Sequence, residues 1–398
     1  MRIYNRFSVK PKAKYFERRI KLIHVISKFE TGGMENGIIN ICNSLDRNKF
    51  EPVVCCVKGL GDMSCRLAED VKTFNLKSRD GKVFNRFFIM AMFFLKQKPL
   101  IVHTHGWGGC SMDAIVGARI ANVPVVINGE HGGFFLKKYQ VFAQNISSLL
   151  CNRTLAVSES LKTEIVVKLK VKPERIFVIP NGVNNKVFHG GYNYYSLERE
   201  LNDRFQARID KGTDFIIGSI GSLKPEKNQI MLLNAVNQIN NKYPNNNIKV
   251  LIIGKGDNLN KLRDFVINHN MENQVLFLGE RIDIPVILSY IDLLVSTSLS
   301  FWEGMSNVIL EAMSSKVPVI ATESVGNKEL IINSENGFLI GQDDVQQLSN
   351  KILFLLSDKV NLEVMGRKAK AMIDQKYALE MMIRNYSNCY IDLLQNHT

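Results

Sequence analysis

The sequence has no long hydrophobic run. Its longest uninterrupted apolar stretch, residues 87–95, contains nine residues, whereas a helix that crosses a bilayer needs about 20. We therefore expect no membrane-spanning helix. The N-terminal segment is basic and lacks the apolar core of a secretory signal, so we expect the protein to remain in the cytoplasm.

Cysteine and histidine spacings give no sign of cross-links or metal. The chain has seven cysteines, an odd number, and no C-x-x-C spacing. This pattern argues against a disulfide framework and a structural zinc site, and it predicts reduced thiols in a reducing compartment. His103 and His105 are close in sequence, but no third ligand follows at a suitable spacing, so we predict no metal site.

Positive charge is concentrated in the first half of the chain. The net charge is +13, and residues 1–180 contain 29 Lys and Arg against 14 Asp and Glu, whereas the remainder contains 22 and 24. The first 21 residues hold eight basic residues and one Glu. This asymmetry indicates that the first half faces an anionic surface or substrate. Segment 87–95, with its basic flanks, favours adsorption to an anionic membrane leaflet; the alternative is an ordinary core helix.

Short apolar runs alternate with helix-length segments along most of the chain. Continuous β-branched runs are typical of parallel strands buried on both faces, and their alternation with helices predicts doubly wound sheets. The pattern weakens at residues 181–214 and then restarts, which predicts two domains. The predicted strands are 20–27, 51–57, 99–105, 123–128, 153–158 and 175–180 in the first domain and 215–221, 248–254, 274–279, 291–297 and 317–322 in the second.

Ligands of open parallel sheets bind at the carboxyl ends of the strands, so the loops that follow strands are the candidate sites. Gly32 and Gly33 let the backbone approach a ligand, and the helix after them offers N–H groups to an anion; the alternative is a tight turn. Lys227 follows a later strand and could pair with phosphate oxygens, although most lysines are simply solvated. His131, beside Glu130, is either a site residue or a rim histidine satisfied by local backbone.

The segment EGMSNVILEAM, which begins at Glu303, combines several site features. Gly304 follows directly, and Ser306 or Asn307 can cap the helix that starts there. The N–H groups at such a helix start favour a phosphate. Glu311 lies among apolar residues and needs a hydrogen-bond donor, for which ribose hydroxyls are suitable. Two glutamates around one helix start therefore indicate a ligand rich in hydroxyls and phosphates, although either one alone could be ordinary helix-dipole complementation.

Taken together, these segments resemble the retaining glycosyltransferases of family 4, which have the GT-B architecture. The resemblance runs from Lys21 to about Gln395. Its most specific part is the E-x7-E pattern formed by Glu303 and Glu311, in the sequence setting that this pattern has in the family. The motifs that carry it are TGGMENGIIN, VHTHGWGG, GEHGG, IPNGV, GSLKPEKN, EGMSNVILEAMSSKVPVIATESVGNKEL and ENGFLI.

The resemblance implies an α/β fold with two Rossmann-like, doubly wound domains that face each other across a cleft. A basic extension would occupy residues 1–18. An acceptor domain (19–183) and a nucleotide-sugar donor domain (184–376) would follow. The last segment (377–398) would be a helix that crosses back to the first domain.

The resemblance also implies roles for individual residues. Lys227 would bind the diphosphate, Glu303 would hold sugar hydroxyls and His131 would lie near the donor sugar, and these three are the implied catalytic residues. Glu311 would take the ribose hydroxyls of the nucleotide. The other positions implied to bind the donor are Gly32, Gly33, Ser222, Gly254, Arg281, Gly304, Met305, Ser306, Asn307 and Val308.

One position departs from the family pattern. Many members have Arg directly after the glycine that corresponds to Gly221, where this chain has Ser222. Lys227, with help from Lys224, would then carry more of the leaving-group charge.

The implied reaction is transfer of a sugar from a nucleotide-diphosphate donor, expected to be a UDP-sugar, to a glycan or lipid-linked glycan. It would serve cell-envelope synthesis, such as lipopolysaccharide or capsule, at the cytoplasmic face of the membrane. The resemblance implies retention of configuration without an essential metal or other cofactor. No carboxylate in these motifs is a convincing nucleophile, so we expect front-face attack.

Two other functions fit the same residues. A GT-B sugar-nucleotide epimerase would convert a nucleotide sugar without an acceptor, and a catalytically silent module would bind the nucleotide sugar without releasing anything. The basic half could also suit nucleic acid, but the sequence has no recognition-helix, zinc or RNA-motif signature. We therefore expect no nucleic-acid partner.

Overall fold

The computed structural model describes residues 18–30, 32–78, 85–106, 109–132, 138–205, 209–299 and 304–396. These residues form one parallel sheet of seven strands and another of six. The first sheet contains β1 (Ile20–Lys28), β2 (Phe50–Gly59), β3 (Lys72–Asn75), β4 (Ile101–His105), β5 (Val125–Glu130), β6 (Arg153–Ala156) and β7 (Ile176–Val178). The second contains β8 (Phe215–Ile220), β9 (Ile248–Ile253), β10 (Val275–Gly279), β11 (Leu293–Ser296), β12 (Val319–Thr322) and β13 (Phe338–Ile340).

Helices alternate with the strands in both halves of the chain. Those of the first half are α1 (Gly33–Ser44), α2 (Arg86–Gln97), α3 (Gly109–Ile120), α4 (Lys138–Leu150) and α5 (Glu159–Leu169). Those of the second half are α6 (Tyr195–Phe205), α7 (Gln229–Lys242), α8 (Leu259–Asn268), α9 (Ile284–Tyr290), α10 (Asn307–Ser314), α11 (Asn327–Leu330), α12 (Val345–Ser357), α13 (Lys359–Lys376) and α14 (Leu379–Gln395).

The β-branched runs form strands because both faces of each sheet are covered. In β1, Leu22 packs in one core with residues of α14, whereas Ile23 packs in another core with Met90 of α2. In β8, Ile216 and Ile217 likewise belong to two different cores. Since side chains alternate along a strand, neighbouring residues fill opposite layers, as parallel sheets require.

The chain crosses between the domains twice, and the two crossings are paired. The Val183 N–H donates to the Tyr377 carbonyl, and the Leu379 N–H donates to the Val183 carbonyl, both at 2.9 Å. α14 then packs on the first sheet, where Tyr386 and Tyr390 are buried. The last helix of the chain therefore contributes to the core of the first domain.

The strand order places a crevice in each domain. The orders are β3-β2-β1-β4-β5-β6-β7 and β10-β9-β8-β11-β12-β13. In each sheet the order reverses between two central strands, β1 and β4 in the first and β8 and β11 in the second. Ligands of doubly wound sheets bind at the carboxyl ends of such strand pairs. The loops after these four strands are therefore the ones to examine.

All the strands predicted from the sequence are present, but β3 and β13 were not predicted. The side chains of β3 are exposed or half-buried, so it lacks an apolar run, and β13 has only three residues. The weakly patterned region 181–214 contains α6, most of whose residues are polar or charged. Within the described ranges, no helix is both long enough and apolar enough to cross a bilayer.

Candidate active site

Two loops of the second domain meet at its crevice, after β8 and after β11. The Leu299 N–H donates to the Glu226 carbonyl at 2.8 Å, and Thr297 Oγ1 donates to the Lys227 carbonyl at 3.1 Å. These bonds fix the turn that carries Lys227 beside the segment that leads to α10. The structure thus joins the Lys227 turn to the loop after β11, from which the chain continues to the Gly304 segment.

The start of α10 has no side-chain cap among the described residues. Ser306 is the N-cap residue, but no hydrogen bond from its side chain caps the helix within the described part of the chain. The expected cap by Ser306 or Asn307 is therefore not formed, because the Asn307 side chain points elsewhere. The first N–H groups of a helix have no intrahelical partner, and they carry the positive end of its dipole. Residues Asn307 and Val308 can thus offer N–H groups to an anion.

Gly304 lies against the first domain. A Cβ atom at this position would lie 2.3 Å from the carbonyl oxygen of His131 and 3.0 Å from Cα of Gly132. On its other side, a Cβ at Gly326 would lie 2.1 Å from the Gly304 carbonyl oxygen. The Gly304 backbone is therefore held between the two domains at a distance that only glycine permits. The segment before α10 opens into the gap between the sheets, next to His131.

Asn307 crosses the same gap. Its Nδ2 atom donates to the Gly33 carbonyl at 2.8 Å, which joins the start of α10 to the start of α1. Asn181, on the first crossing segment, donates through Nδ2 to the Met305 carbonyl at 3.4 Å. The glycine loop of the first domain and the helix start of the second are thus neighbours, as two facing crevices require.

Glu35 is a charged residue of this region that the sequence analysis missed. Its Oε2 atom lies only 2.3 Å from where a Cβ at Gly32 would be, and burial raises the pKa of this carboxyl. The first turn of α1 therefore already faces a carboxyl group of its own chain, which makes it a poorer anion site than the start of α10. The sequence contained a signal for this residue, because Glu35 occupies the third position of α1, where a capping box has a Glu or Gln.

Glu311 projects from α10 in a half-buried position. Burial raises the pKa of its carboxyl to about 7, and Arg66 of the first domain opposes that shift. A carboxyl group in this setting gains from hydrogen-bond donors that a ligand supplies. This matches what its place in the sequence led us to expect.

The backbone around Ser222 and Gly254 is tightly packed. Gly254 has φ of 140°, and a Cβ there would lie 1.8 Å from the Gly221 carbonyl oxygen. The Ser222 carbonyl accepts a hydrogen bond from Gln229 Nε2 at 3.0 Å. The loops after β8 and β9 thus meet, and only glycine fits at residue 254.

Arg281 is engaged by two carboxylates. Its guanidinium donates to Glu200 at 2.6 and 3.1 Å and to Asp283 at 2.8 and 2.7 Å. Hydrogen bonds to Asp283 and then Glu200 raise the pKa of the guanidinium. A nucleotide base in contact with Arg281 would therefore have to share its guanidinium with Glu200 and Asp283.

His131 directly follows β5, contacts Gly304 of the second domain through its backbone and is half-buried. Its Nε2 atom is 3.0 Å from Nδ1 of His105, and burial lowers the pKa of His131 to about 4. It is therefore a neutral imidazole at pH 7. The predicted Glu303 lies outside the described residues.

Glu130, next to His131, is buried and faces α4 instead of the gap. Its Oε1 atom accepts hydrogen bonds from Asn128 Nδ2 at 2.5 Å and Gln144 Nε2 at 2.7 Å. Burial raises the pKa of Glu130 well above its ordinary value, against the hydrogen bond from Asn128. Glu130 is therefore part of the core of the first domain, where burial favours the protonated form of its carboxyl.

Comparison with known sequence families identifies the class of protein. Residues 31–187 match Glycosyltransferase Family 4, and residues 201–372 match Glycosyl transferases group 1. The two matches together cover most of the chain. The chain therefore belongs to glycosyltransferase family 4, with the GT-B fold, and it is a transferase enzyme, as the sequence motifs predicted.

Individual relatives agree with this assignment over most of the chain. The UDP-Gal:alpha-D-GlcNAc-diphosphoundecaprenol alpha-1,3-galactosyltransferase of Escherichia coli is 29% identical over 401 residues, which span 95% of this chain and 98% of the relative. The capsular polysaccharide biosynthesis glycosyltransferase CapM of Staphylococcus aureus is 25% identical and spans 77% and 80%.

Solved structures confirm the predicted fold class. A glycosyltransferase from Rickettsia africae superposes with a TM-score of 0.80 at 20% identity, covering 95% of this chain and 99% of that one. HepE of Anabaena, in complex with UDP, superposes with a TM-score of 0.78 at 20% identity, covering 94% and 100%.

Proposed function

We propose that this glycosyltransferase takes its sugar from a UDP-sugar and transfers it to a lipid-linked glycan of the cell envelope. The observation that carries the proposal is the start of α10, which has no side-chain cap among the described residues and whose preceding Gly304 contacts the backbone of His131; the Lys227 turn is bonded to the loop after β11, from which the chain continues to α10. Backbone N–H groups and a lysine at one crevice suit a diphosphate. The E. coli relative, whose name specifies a UDP-sugar and a diphosphoundecaprenol-linked acceptor, supports the choice of donor and acceptor.

The proposed division of roles follows the two domains. The donor's diphosphate would bind at the N–H groups of Asn307 and Val308, with Lys227 beside it. Glu311 would accept hydrogen bonds from the ribose hydroxyls. His131 and the loop at Gly33 would lie on the side of the transferred sugar and the acceptor.

In the proposed mechanism the bond between the sugar C1 and the phosphate oxygen breaks, and a bond from C1 to the acceptor oxygen forms on the same face. The acceptor proton passes to the departing phosphate oxygen, and the configuration at C1 is retained. Lys227 and the amides of α10 stabilise the negative charge that develops on the diphosphate. No metal ion is required for this charge, so treatment with a chelator should leave turnover unchanged.

Two variants and the product stereochemistry test the mechanism. Lys227→Ala and Glu303→Ala should each lower turnover, and NMR of the product should show the anomeric configuration of the donor. Near-full turnover in both variants would end the proposal for the site, and an inverted product would end front-face attack.

A panel of nucleotide sugars tests the choice of donor. Slow release of UDP from one UDP-sugar, without any acceptor, is the expected result, and nucleotides with other bases should compete poorly. Conversion of the sugar without release of UDP would indicate an epimerase instead. Binding without release or conversion would indicate a silent module.

We also propose that the first domain adsorbs to an anionic membrane surface through α2. The outward face of this helix is apolar: Phe88 is 57% exposed, Ile89 40%, Met92 53% and Leu95 48%. Its inner face packs in the core, as the core-helix interpretation of segment 87–95 expected, and its outward face is the side that we propose to meet the membrane. The excess of basic residues in this half supplies electrostatic attraction of about 1 kcal/mol per residue near the surface.

Vesicle sedimentation at low salt tests this attachment. The protein should bind vesicles that contain anionic lipid and should bind neutral vesicles weakly. Replacing Phe88 and Met92 by Ser should reduce binding, whereas Ile267→Ser, an equally exposed apolar residue of the second domain, should not. Equal binding of all three proteins would refute a role for α2.

A further inference from the structure

Four histidines of the first domain lie in contact, three of them fully buried in the sheet. His24 of β1 and His103 of β4 are neighbours in register. His24 Nδ1 is 2.8 Å from His105 Nε2, and His105 Nδ1 is 3.0 Å from His131 Nε2. His103 stands beside this row and bonds through Nδ1 to Tyr390 Oη at 2.9 Å. A row of three rings therefore runs from the interior to the cleft.

The row exists because Gly129 leaves room for it. A Cβ at Gly129 would lie 2.8 Å from His103 Nε2 and 3.3 Å from His105 Nδ1. Any larger residue on β5 would press on the rings. β5 thus has a glycine, Gly129, at the position where the imidazole rings of His103 and His105 pack.

The hydrogen bonds in the row can run in only two directions if the rings are neutral. Burial lowers the pKa of His24 to about 3 and that of His105 well below its ordinary value, so neutral rings are expected at pH 7. Each neutral imidazole has one donor and one acceptor nitrogen. Once the proton of the ring at one end is placed, the direction of every hydrogen bond in the row is therefore determined.

The interior end decides the direction. His24 Nε2 is buried and has no hydrogen-bond partner among the described residues. A proton on that nitrogen would be an unpaired buried N–H, which is rarer in proteins than an unpaired acceptor. The proton of His24 therefore belongs on Nδ1, which donates to His105 Nε2. His105 then donates from Nδ1 to His131 Nε2, and His131 keeps its own proton on Nδ1.

We propose that His24 and His105 are positioning residues that hold His131 in its Nδ1–H form, so that it meets its ligand as a hydrogen-bond donor. With its Nε2 lone pair occupied by His105, His131 offers an N–H to a sugar or acceptor oxygen and cannot serve there as a general base. The row acts through His131 and does not itself touch a substrate. That His131 faces a sugar rests on the proposed function; the position of its proton does not.

A metal ion is the competing occupant of this cluster. Ligand nitrogens of His24, His103 and His105 lie within 4.8 Å of one another. However, that group contains no carboxylate to offset a buried double charge, and one nitrogen of each of the three histidines already takes part in a hydrogen bond. Metal analysis of the purified protein should find no stoichiometric zinc, and finding it would overturn the proposal.

NMR of protein labelled with ¹⁵N at histidine tests the proton positions directly. We expect His24, His105 and His131 to carry the proton on Nδ1, although free neutral histidine favours Nε2–H. A proton on Nε2 of His131, or a charged ring there at pH 7, would overturn the proposal. This measurement needs no substrate and so stands even if the proposed reaction is wrong.

Three variants test whether the row sets His131. His24→Phe keeps a ring but removes the donor to His105, so His131 should lose its single proton position and kcat should fall about tenfold, the equivalent of one hydrogen bond of about 1.4 kcal/mol. His24→Asn places an amide donor near the former position of Nδ1. This variant should restore both the single proton position of His131 and the original kcat. His103→Phe removes an equally buried ring outside the row and should leave the His131 spectrum and kcat unchanged.

The outcomes separate the proposal from a purely structural role. If His24→Phe and His103→Phe lower kcat equally, the rings act only through packing and the proposal fails. If His24→Phe does not fold, the spectrum of the unaltered protein still decides the question.

Discussion

The two domains face one cleft with the same kind of sheet, yet they contribute different chemistry. The second domain presents backbone: an uncapped helix start, Gly304 pressed against the other domain, and one lysine turn. The first domain presents side chains, His131 and Glu35, supported from behind by buried polar groups. Backbone N–H groups suit the diphosphate that donors of this class share, whereas side chains can be varied to suit a particular sugar and acceptor.

The charge distribution follows the same division. The first half carries the excess positive charge, and the second half is nearly neutral. A nucleotide needs only the local positive end of α10, but an acceptor on an anionic membrane benefits from a basic domain and from the apolar outer face of α2. If the proposed function is right, this difference assigns membrane attachment and acceptor choice to the first domain.

The largest effect on activity is expected where the two domains touch. Gly304→Ala would place a methyl group 2.3 Å from the His131 carbonyl oxygen, so the domains would have to separate by about 1 Å. Misplacement of that size can cost about 100-fold in rate, and kcat/KM of the transfer reaction should fall accordingly.

A helix glycine with free space is the matched control for that variant. Apart from its own helix backbone and chain neighbours, no described residue has an atom within 4 Å of a Cβ added at Gly37 of α1, so Gly37→Ala should keep activity and raise stability by about 0.5–1 kcal/mol. If Gly304→Ala is as active as Gly37→Ala, the contact between the domains has no part in catalysis.

An intermediate effect is expected at Glu311, on nucleotide binding. Ionised Glu311 accepts hydroxyl hydrogen bonds worth about 1.5–3 kcal/mol, so Glu311→Gln should weaken UDP-glucose binding about 10- to 100-fold. Because burial raises the pKa of Glu311 to about 7, the unaltered protein should bind more weakly at pH 6 than at pH 8. Calorimetry at both pH values checks this, and an identical pH dependence in the Gln variant would contradict it.

The smallest effect on turnover is expected at Glu130, which supports the first domain from inside. Its raised folded pKa means that the folded state holds a proton which the unfolded state releases above about pH 4.5. Stability due to this group is therefore present at low pH and is lost as pH rises, by at most about 1.4 kcal/mol per pH unit.

Glu130→Gln removes this dependence without removing the hydrogen-bond acceptor. Urea unfolding should show the variant gaining stability over the unaltered protein from pH 5 to pH 8, with unchanged kcat. The exposed Glu363→Gln should show no such trend. A loss of activity in Glu130→Gln would assign the carboxyl to the site instead of the core.

The sequence predicted the sheets and the second-domain side of the site more fully than the first-domain side. Apolar runs revealed eleven strands because those strands, apart from the partly exposed β7, are largely buried on both faces, whereas β3 is not. Gly304, Asn307 and Lys227 could be predicted as site residues because glycine turns and helix starts have local signatures, and their roles stay predictions.

The contacts of the first domain could not be found in that way, because they join distant parts of the chain. His24 meets His105 across 81 residues, and Asn307 meets Gly33 across 274. Spacing along the chain does not encode such neighbours. The absence of a capping bond from Ser306 was also unpredictable, since the residue type is a good cap and only the fold directs it otherwise.

The most direct test compares UDP with uridine, which lacks the phosphates. Binding of both ligands is measured by calorimetry to the unaltered protein, to Lys227→Ala and to Lys261→Ala, an exposed lysine on α8. We predict that Lys227→Ala weakens the binding of UDP at least tenfold, about 1.4 kcal/mol, and leaves the binding of uridine unchanged. Lys261→Ala should change the affinity for neither ligand. Equal affinity of UDP for all three proteins would contradict a diphosphate site at the crevice between β8 and α10.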